Sequence, residues 1–189
     1  PDLTREKVYP LLWEGVRQGF LLPQPPREEN IARNIALKHQ IDRFDDDSSS
    51  IQVVDVHGRE GHGYVAVTGA HLVHDLIKKL GNKKDRVHIG LGPGISARIV
   101  AKRLGQLLSR DPEGPDLTVH ALSSAGLSLD NPDTAPVTFF RFFDEALVDV
   151  NFVGLFTEAV VRCQDYQHVI HGPSVRASFD KKDDIDIVI

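Results

Sequence analysis

Arg86-Val-His-Ile-Gly-Leu-Gly-Pro-Gly-Ile-Ser-Ala-Arg-Ile-Val-Ala-Lys-Arg-Leu104 reads as strand, glycine-rich turn and helix. Val87, Ile89 and Leu91 alternate as a short β-prone run. Gly90, Gly92 and Gly94 carry no Cβ, so the backbone can turn sharply and come close to a ligand. The helix that follows begins near Ile95 or Ser96. Its first turn leaves backbone N–H groups without intrahelical acceptors and places the positive end of its dipole at the turn. Such a terminus suits an anion. The spacing is G-x-G-x-G, and no Gly-Lys-Ser/Thr follows, so dinucleotide and Walker-type nucleotide sites are disfavoured. A small phosphorylated or polyhydroxylated ligand fits better. A tight βα turn with no ligand is the plain alternative.

Working outward, strands and helices alternate. Ile51-Gln-Val-Val-Asp-Val56 reads as a first strand, and His57–Gly63 as a glycine-rich loop after it. A helix is expected from about Tyr64 to Leu80, stopped by Gly81-Asn82. Leu117–Leu122 reads as a further strand ending in Ser123-Ser124-Ala125-Gly126. A phenylalanine-rich helix over Val137–Leu147, a strand over Val148–Leu155, a helical stretch around Asp165–Ser178 and a last strand at Ile185–Ile189 complete the pattern. Alternation of this kind predicts an α/β fold: a Rossmann-like three-layer α/β/α architecture with a mostly parallel sheet. Upstream, residues 3–20 read as a helix, Leu21–Pro26 as a stiff proline connector, and 27–40 as a second helix with Ile31, Ile35 and Ala36 facing inward. Asp42–Ser50 is acidic and serine-rich, a surface loop. The expected division is an N-terminal helix and connector over 1–26 and the α/β domain over 27–189.

The chain has 189 residues and a net charge of −5, which suits one domain with no general attraction to nucleic acid or anionic membrane. A single cysteine rules out an intrachain disulfide and suits a reducing, cytoplasmic compartment. Cys163 reads as a buried small residue rather than a nucleophile. No apolar run is long enough to span a membrane, and no signal-peptide pattern is present. The sequence opens on Pro1, contains no Met, and stops at Ile189 inside an expected core strand. A fragment, incomplete at its C-terminus, is expected.

In parallel sheets ligands bind beyond the carboxyl ends of the strands. Three polar strand ends converge there. They are Gly92, Gly94 and Ser96 after one strand, Ser123 and Ser124 after the next, and Thr157 and Glu158 after the third. Backbone N–H groups and hydroxyls at short range match phosphate and sugar oxygens. Arg98 or Lys102 can add a cation. Among the histidines, His71 and His74 lie three apart on one helix before Asp75, and His57 and His62 flank the preceding loop. Neither an H-E-x-x-H spacing nor a cysteine pair supports zinc, so no metal and no cofactor are expected. No G-x-S-x-G elbow is present. Asp184 and Asp186 alternate with Ile185 and Ile187 as a strand with one polar face would.

Ile89-Gly-Leu-Gly-Pro-Gly-Ile-Ser96 and the Ala/Arg/Leu helix after it resemble the glycine-rich turn of the effector-binding domains of SorC-type and DeoR-type sugar-responsive transcription regulators. The same loop resembles the phosphate turn of ribose-5-phosphate isomerase, of the same superfamily. Leu117–Gly126, Val150–Ala159 and Val175–Ile189 follow the SorC-type order, and Glu29–Val56 resembles the helix and strand that open that domain. The resemblance implies a sugar phosphate or related metabolite held by Gly92, Gly94 and Ser96, with Ser123–Gly126 and Phe156–Glu158 closing over it. It also implies a homo-oligomer, dimer or tetramer. Pro93 and Ile95 replace the more usual glycine and polar residues of the turn. No helix-turn-helix is found upstream, so DNA binding does not carry over to this chain. An isomerase would need an Asp-Gly-Ala-Asp segment that is absent, which leaves Glu158 as the catalytic candidate for an isomerase or hydrolase. A structural domain with a vestigial pocket is the third reading.

Overall fold

A computed structural model describes positions 4, 8, 10–12, 14, 15, 27–40, 51–56, 61–125, 131–157 and 160–189. The chain divides into two compact units, Pro1–Tyr64 and Val65–Ile189.

In the first unit, helix α1 (Glu29–Lys38) buries Ala32 and Ala36, one i, i+4 pair. Ile31 and Ile35, expected inward, are 48% and 36% exposed, so the buried seam is turned by about one residue toward the small side chains. The expected strand over 51–56 is not one. Val54 makes an isolated antiparallel bridge to Arg27, and the Glu28 N–H donates to the Val53 carbonyl at 2.8 Å. The physical reason is incomplete burial. Positions 51–54 and 56 are only half-buried and Asp55 is exposed, whereas a strand inside a parallel sheet is covered on both faces.

Helix α2 (Gly61–Gly81) leads into the second unit, which holds strand β1 (Arg86–Leu91), helix α3 (Ile95–Leu108), strand β2 (Asp116–Ala121) and strand β3 (Val150–Val153). Short helices α4 (Tyr166–Ile170) and α5 (Pro173–Phe179) and strand β4 (Ile187–Val188) follow. The sheet order is β3-β2-β1-β4, and every pair is parallel. The architecture is the expected Rossmann-like α/β/α arrangement.

Alternation along β1 and β2 builds the core. Val87, Ile89, Leu91, Leu117 and Val119 are fully buried with Ala101, Leu104 and Leu108 of α3, Ile77 of α2, and Phe139 and Phe143. Residues of the opposite parity, Thr118 and His120, are also buried, at 5% and 2% exposure, so the central strands are covered on both faces.

The phenylalanine-rich segment forms a 3₁₀ helix over Pro136–Phe143 rather than an α-helix. At three residues per turn, i and i+3 eclipse, and Phe139 and Phe142 stack with ring centroids 6.3 Å apart. This helix presses on α3 so closely that a Cβ at Gly105 would fall on the Phe142 carbonyl oxygen, with the carbonyl carbon at 2.8 Å. The helical stretch expected over 165–178 breaks at Gly172-Pro173. Proline lacks the N–H a continuous helix needs, but suits the first position of α5. Cys163, expected buried, is exposed. No helix among the described residues is long and apolar enough to cross a membrane.

Candidate functional site

The parallel register sets the carboxyl ends of the strands level. Leu91 pairs with Ala121, His120 with Val153, and Gly90 with Val188. The chain steps from β1 to β2 to β3, then returns to the far side of β1 as β4. The reversal creates a topological switch point beside the glycine turn, where such sheets hold ligands.

The turn itself is fixed by Gly94, whose φ of 126° and ψ of 168° only glycine adopts without strain. Gly94 caps α3, and its carbonyl accepts the first intrahelical bond, from Arg98 N–H at 3.0 Å. Ile95, Ser96 and Ala97 are therefore the first-turn residues whose N–H groups have no acceptor inside the helix. The two glycine donors are engaged elsewhere. Gly92 N–H donates to the Ile189 carbonyl at 2.7 Å, and Gly94 N–H donates to the Thr134 carbonyl at 3.0 Å. Ser96 is exposed.

The segment before the phenylalanine-rich helix thus reaches the turn. Pro132–Thr134 forms a 3₁₀ turn in which the buried Thr134 hydroxyl donates to the Asn131 carbonyl at 2.8 Å. Asp133 lies 3.5 Å from Arg98 Nη2, and Arg98 Nε is enclosed without a hydrogen-bond partner. The Asn-Pro-Asp-Thr order, a polar residue before a proline at a helical start, is the sequence signal for that turn. Lys102 points to solvent.

After β2, Ser123 and Ser124 are half-buried. The Ser123 hydroxyl donates to the Ala125 carbonyl at 2.9 Å and accepts from the Ala125 N–H at 3.3 Å, a local turn. Leu122 folds its side chain over Gly90, where a Cβ would meet it at 2.9 Å. After β3, Thr157 is half-buried, and Glu158 lies outside the described residues, as does Gly126. The parallel register makes all three predicted loops leave one edge of the sheet.

The remaining candidates hold other elements together. His71 Nε2 lies 3.0 Å from Arg103 Nη2, and His74 Nε2 lies 3.1 Å from Asp111. Burial, with Arg110 nearby, pushes the Arg103 guanidinium down to about 10. Asp111 also accepts from Lys78 Nζ at 2.7 Å, and that bond holds its carboxyl below the usual range against the opposing effect of burial. His62 is exposed, and His57 lies outside the described residues. No group of three His, Cys, Asp or Glu side chains among the described residues is placed to hold a metal ion. Asp186 binds back onto β1: its Oδ2 accepts from His88 N–H at 2.9 Å and its Oδ1 accepts from Lys84.

Sequence reading missed the pairing of His88 with His120. The two rings face each other across β1 and β2, with Nδ1 of His88 2.9 Å from Nε2 of His120. Burial is the main influence lowering the proton affinity of His120, with His88 and Lys181 adding to it and Asp184 opposing. The only sequence signal was a histidine at an equivalent parity in two adjacent strands. An open cleft of about 350 Å³ lies apart from the predicted residues, lined by His171, Arg176, Phe179 and Lys182 among others. Its charges are largely mutual, with Lys182 2.8 Å from Asp183 and Arg176 3.7 Å from Asp180.

No protein-family model matches the sequence, and no curated protein matches it either. A solved structure does, that of a "putative SorC family transcriptional regulator" from Enterococcus faecalis. It superposes with a TM-score of 0.53 over 82% of this chain at 13% identity. The fold is SorC-like. The chain spans 57% of the length of that regulator. The likeness therefore concerns the α/β architecture and not the pocket chemistry.

Proposed function

We propose that this SorC-like domain senses a phosphorylated sugar or a related small metabolite at the carboxyl edge of its sheet. The observation that carries the reading is the SorC-like fold, with the glycine turn and the Ser123–Ser124 and Thr157–Glu158 loops leaving one edge beside the switch point. Phosphate would be held by the first-turn N–H groups of α3 and the Ser96 hydroxyl. Gly92 and Gly94 would supply close approach and the turn, since their own N–H groups are bonded within the fold. Arg98 would add positive charge nearby. Ser123, Ser124, Thr157 and Glu158 would meet the sugar hydroxyls. Binding would shift the population toward a closed arrangement of these loops and alter a homo-oligomer interface in the cytoplasm. By analogy with the Enterococcus protein, the output would be transcriptional, with DNA contact made by a helix-turn-helix outside this chain.

A thermal-shift panel of pentose and hexose phosphates, free sugars and inorganic phosphate tests the reading. A ligand at 100 times its Kd stabilises by about 2.7 kcal/mol. Ser96→Glu should abolish that shift by charge repulsion while leaving the unliganded protein folded, because an acidic side chain is favourable in a first helical turn. No shift with any phosphate, or a shift unchanged in Ser96→Glu, would defeat the proposal. Consumption of the ligand, lost in Glu158→Gln, would instead indicate an isomerase or hydrolase.

A further inference from the structure

We propose that the His88–His120 pair is an acid-sensitive latch that governs the docking of residues 181–189, including β4, onto β1. The geometry admits one proton between the rings. At 2.9 Å, Nδ1 of His88 and Nε2 of His120 share a single N–H, one ring donating and the other accepting. The pair can carry one further proton at an outward-facing nitrogen. It cannot carry two, because two N–H groups would then point at each other across the contact. His120 is 2% exposed, so it cannot swing into water where it stands.

The charged groups that act on the pair lie mostly on the segment that would move. Lys181 and Asp184 act on His120 from the turn before β4, with opposite signs. Asp186 holds the His88 backbone from both sides: its Oδ2 accepts from the His88 N–H, and its own N–H donates to the His88 carbonyl at 2.9 Å. Lys84 completes the clamp on Asp186. Strands β1 and β2 are six residues each, paired along their whole length and packed into the core. Strand β4 is two residues long, and Val188 is 69% exposed. When both rings are protonated, the weakest attachment yields first, and that is 181–189. Its release also frees the Gly92 N–H from the Ile189 carbonyl.

The sign follows from linkage. A histidine that binds its proton less well in the closed state than in the open one leaves closure at full strength above about pH 6.5, the ordinary value. Closure then weakens as pH falls below it, tenfold in the equilibrium per pH unit for one proton.

Hydrogen exchange read by mass spectrometry tests this, as protection factors between pH 7.5 and 5.0 in the whole chain. Peptides covering 181–189 should lose protection about tenfold per pH unit below 6.5, together with the amides that donate to that segment, His88 and Gly92, while those of β2 hold theirs. In His120→Gln the amide can either donate to or accept from His88, so that pH dependence should vanish. A flat response in the wild type, the same slope in His120→Gln, or equal loss across all four strands would each overturn the proposal. Should His120→Gln fail to fold, an imidazole NMR titration of the wild type decides. One ring staying neutral to pH 5 supports the latch, and two independent titrations near 6.5 overturn it.

Discussion

Gly105→Ala tests how closely α3 is seated against the 3₁₀ helix. In an ordinary helix interior this change is favourable by about 1 kcal/mol, since glycine is the poorer helix former. Here the new Cβ would land on the Phe142 carbonyl oxygen, with the carbonyl carbon at 2.8 Å and the Phe142 Cβ at 3.5 Å. The obstacle is backbone, so no rotamer change relieves it. The two helices must separate by roughly 1 Å, a gap that forfeits a quarter to a half of the dispersion well for each atom pair affected. The pairs at risk are Ala101, Leu104 and Leu108 against Phe139 and Phe143. Overpacking of this kind costs typically about 1–3 kcal/mol, and a backbone obstacle belongs at the upper end. Less the propensity gain, Gly105→Ala should lose about 2 kcal/mol. In urea unfolding followed by circular dichroism, that is a midpoint lowered by about 1 M for a slope near 2 kcal/mol per M. Gly69→Ala in α2 is the control. Its Cβ would make ordinary contact with Val100 Cγ2 at 3.8 Å, so it should gain up to about 1 kcal/mol. If Gly105→Ala matched or exceeded the wild type, the close seating of these helices would be refuted.

Gly94→Ala places a Cβ on a backbone with φ of 126° and should cost about 1–3 kcal/mol in the same unfolding assay, with or without ligand. Asp111→Asn removes the negative charge that faces Lys78 and His74, and because Lys78 is 46% exposed the loss should be no more than about 1 kcal/mol. The Asp111 carboxyl is depressed in the folded state, so its contribution is present above the ordinary carboxylate range and is lost as pH falls through the folded value. The difference between Asp111→Asn and wild type should therefore shrink as the unfolding series is carried into acid, and also in high salt.

The elements legible in the sequence were those defined by local pattern. Alternation at Val87, Ile89 and Leu91 and the glycines after it located β1 and α3 to within a residue, because turn chemistry and helix start are short-range. The Pro136–Phe143 segment misled because four phenylalanines and a valine within eight residues suit either helical period, and only packing on α3 chose the tighter one. The stretch Ile51–Val56 has strand composition, yet its pairing depends on a partner that composition cannot name. The candidate site was legible as loops on one edge. Its hydrogen bonding was not, because the groups that take up Gly92 and Gly94 N–H come from Ile189 and Thr134, far along the chain. The His88–His120 contact was hidden for the same reason, since only the register of two strands brings it about.

The sheet order has a consequence for how the molecule assembles. β1 meets β2 across a loop of roughly 30 residues, but meets β4 across one of roughly 100. On loop-closure entropy alone the second contact is dearer by about 1 kcal/mol, and β4 offers only a short ladder in return. β1 and β2 therefore form an early pair whose outer edge on β1 stays open until 187–188 arrive. An unpaired edge next to a fully apolar face is an aggregation hazard. The moment of greatest risk in making this protein falls late, when most of the sheet exists and its last two-residue strand does not.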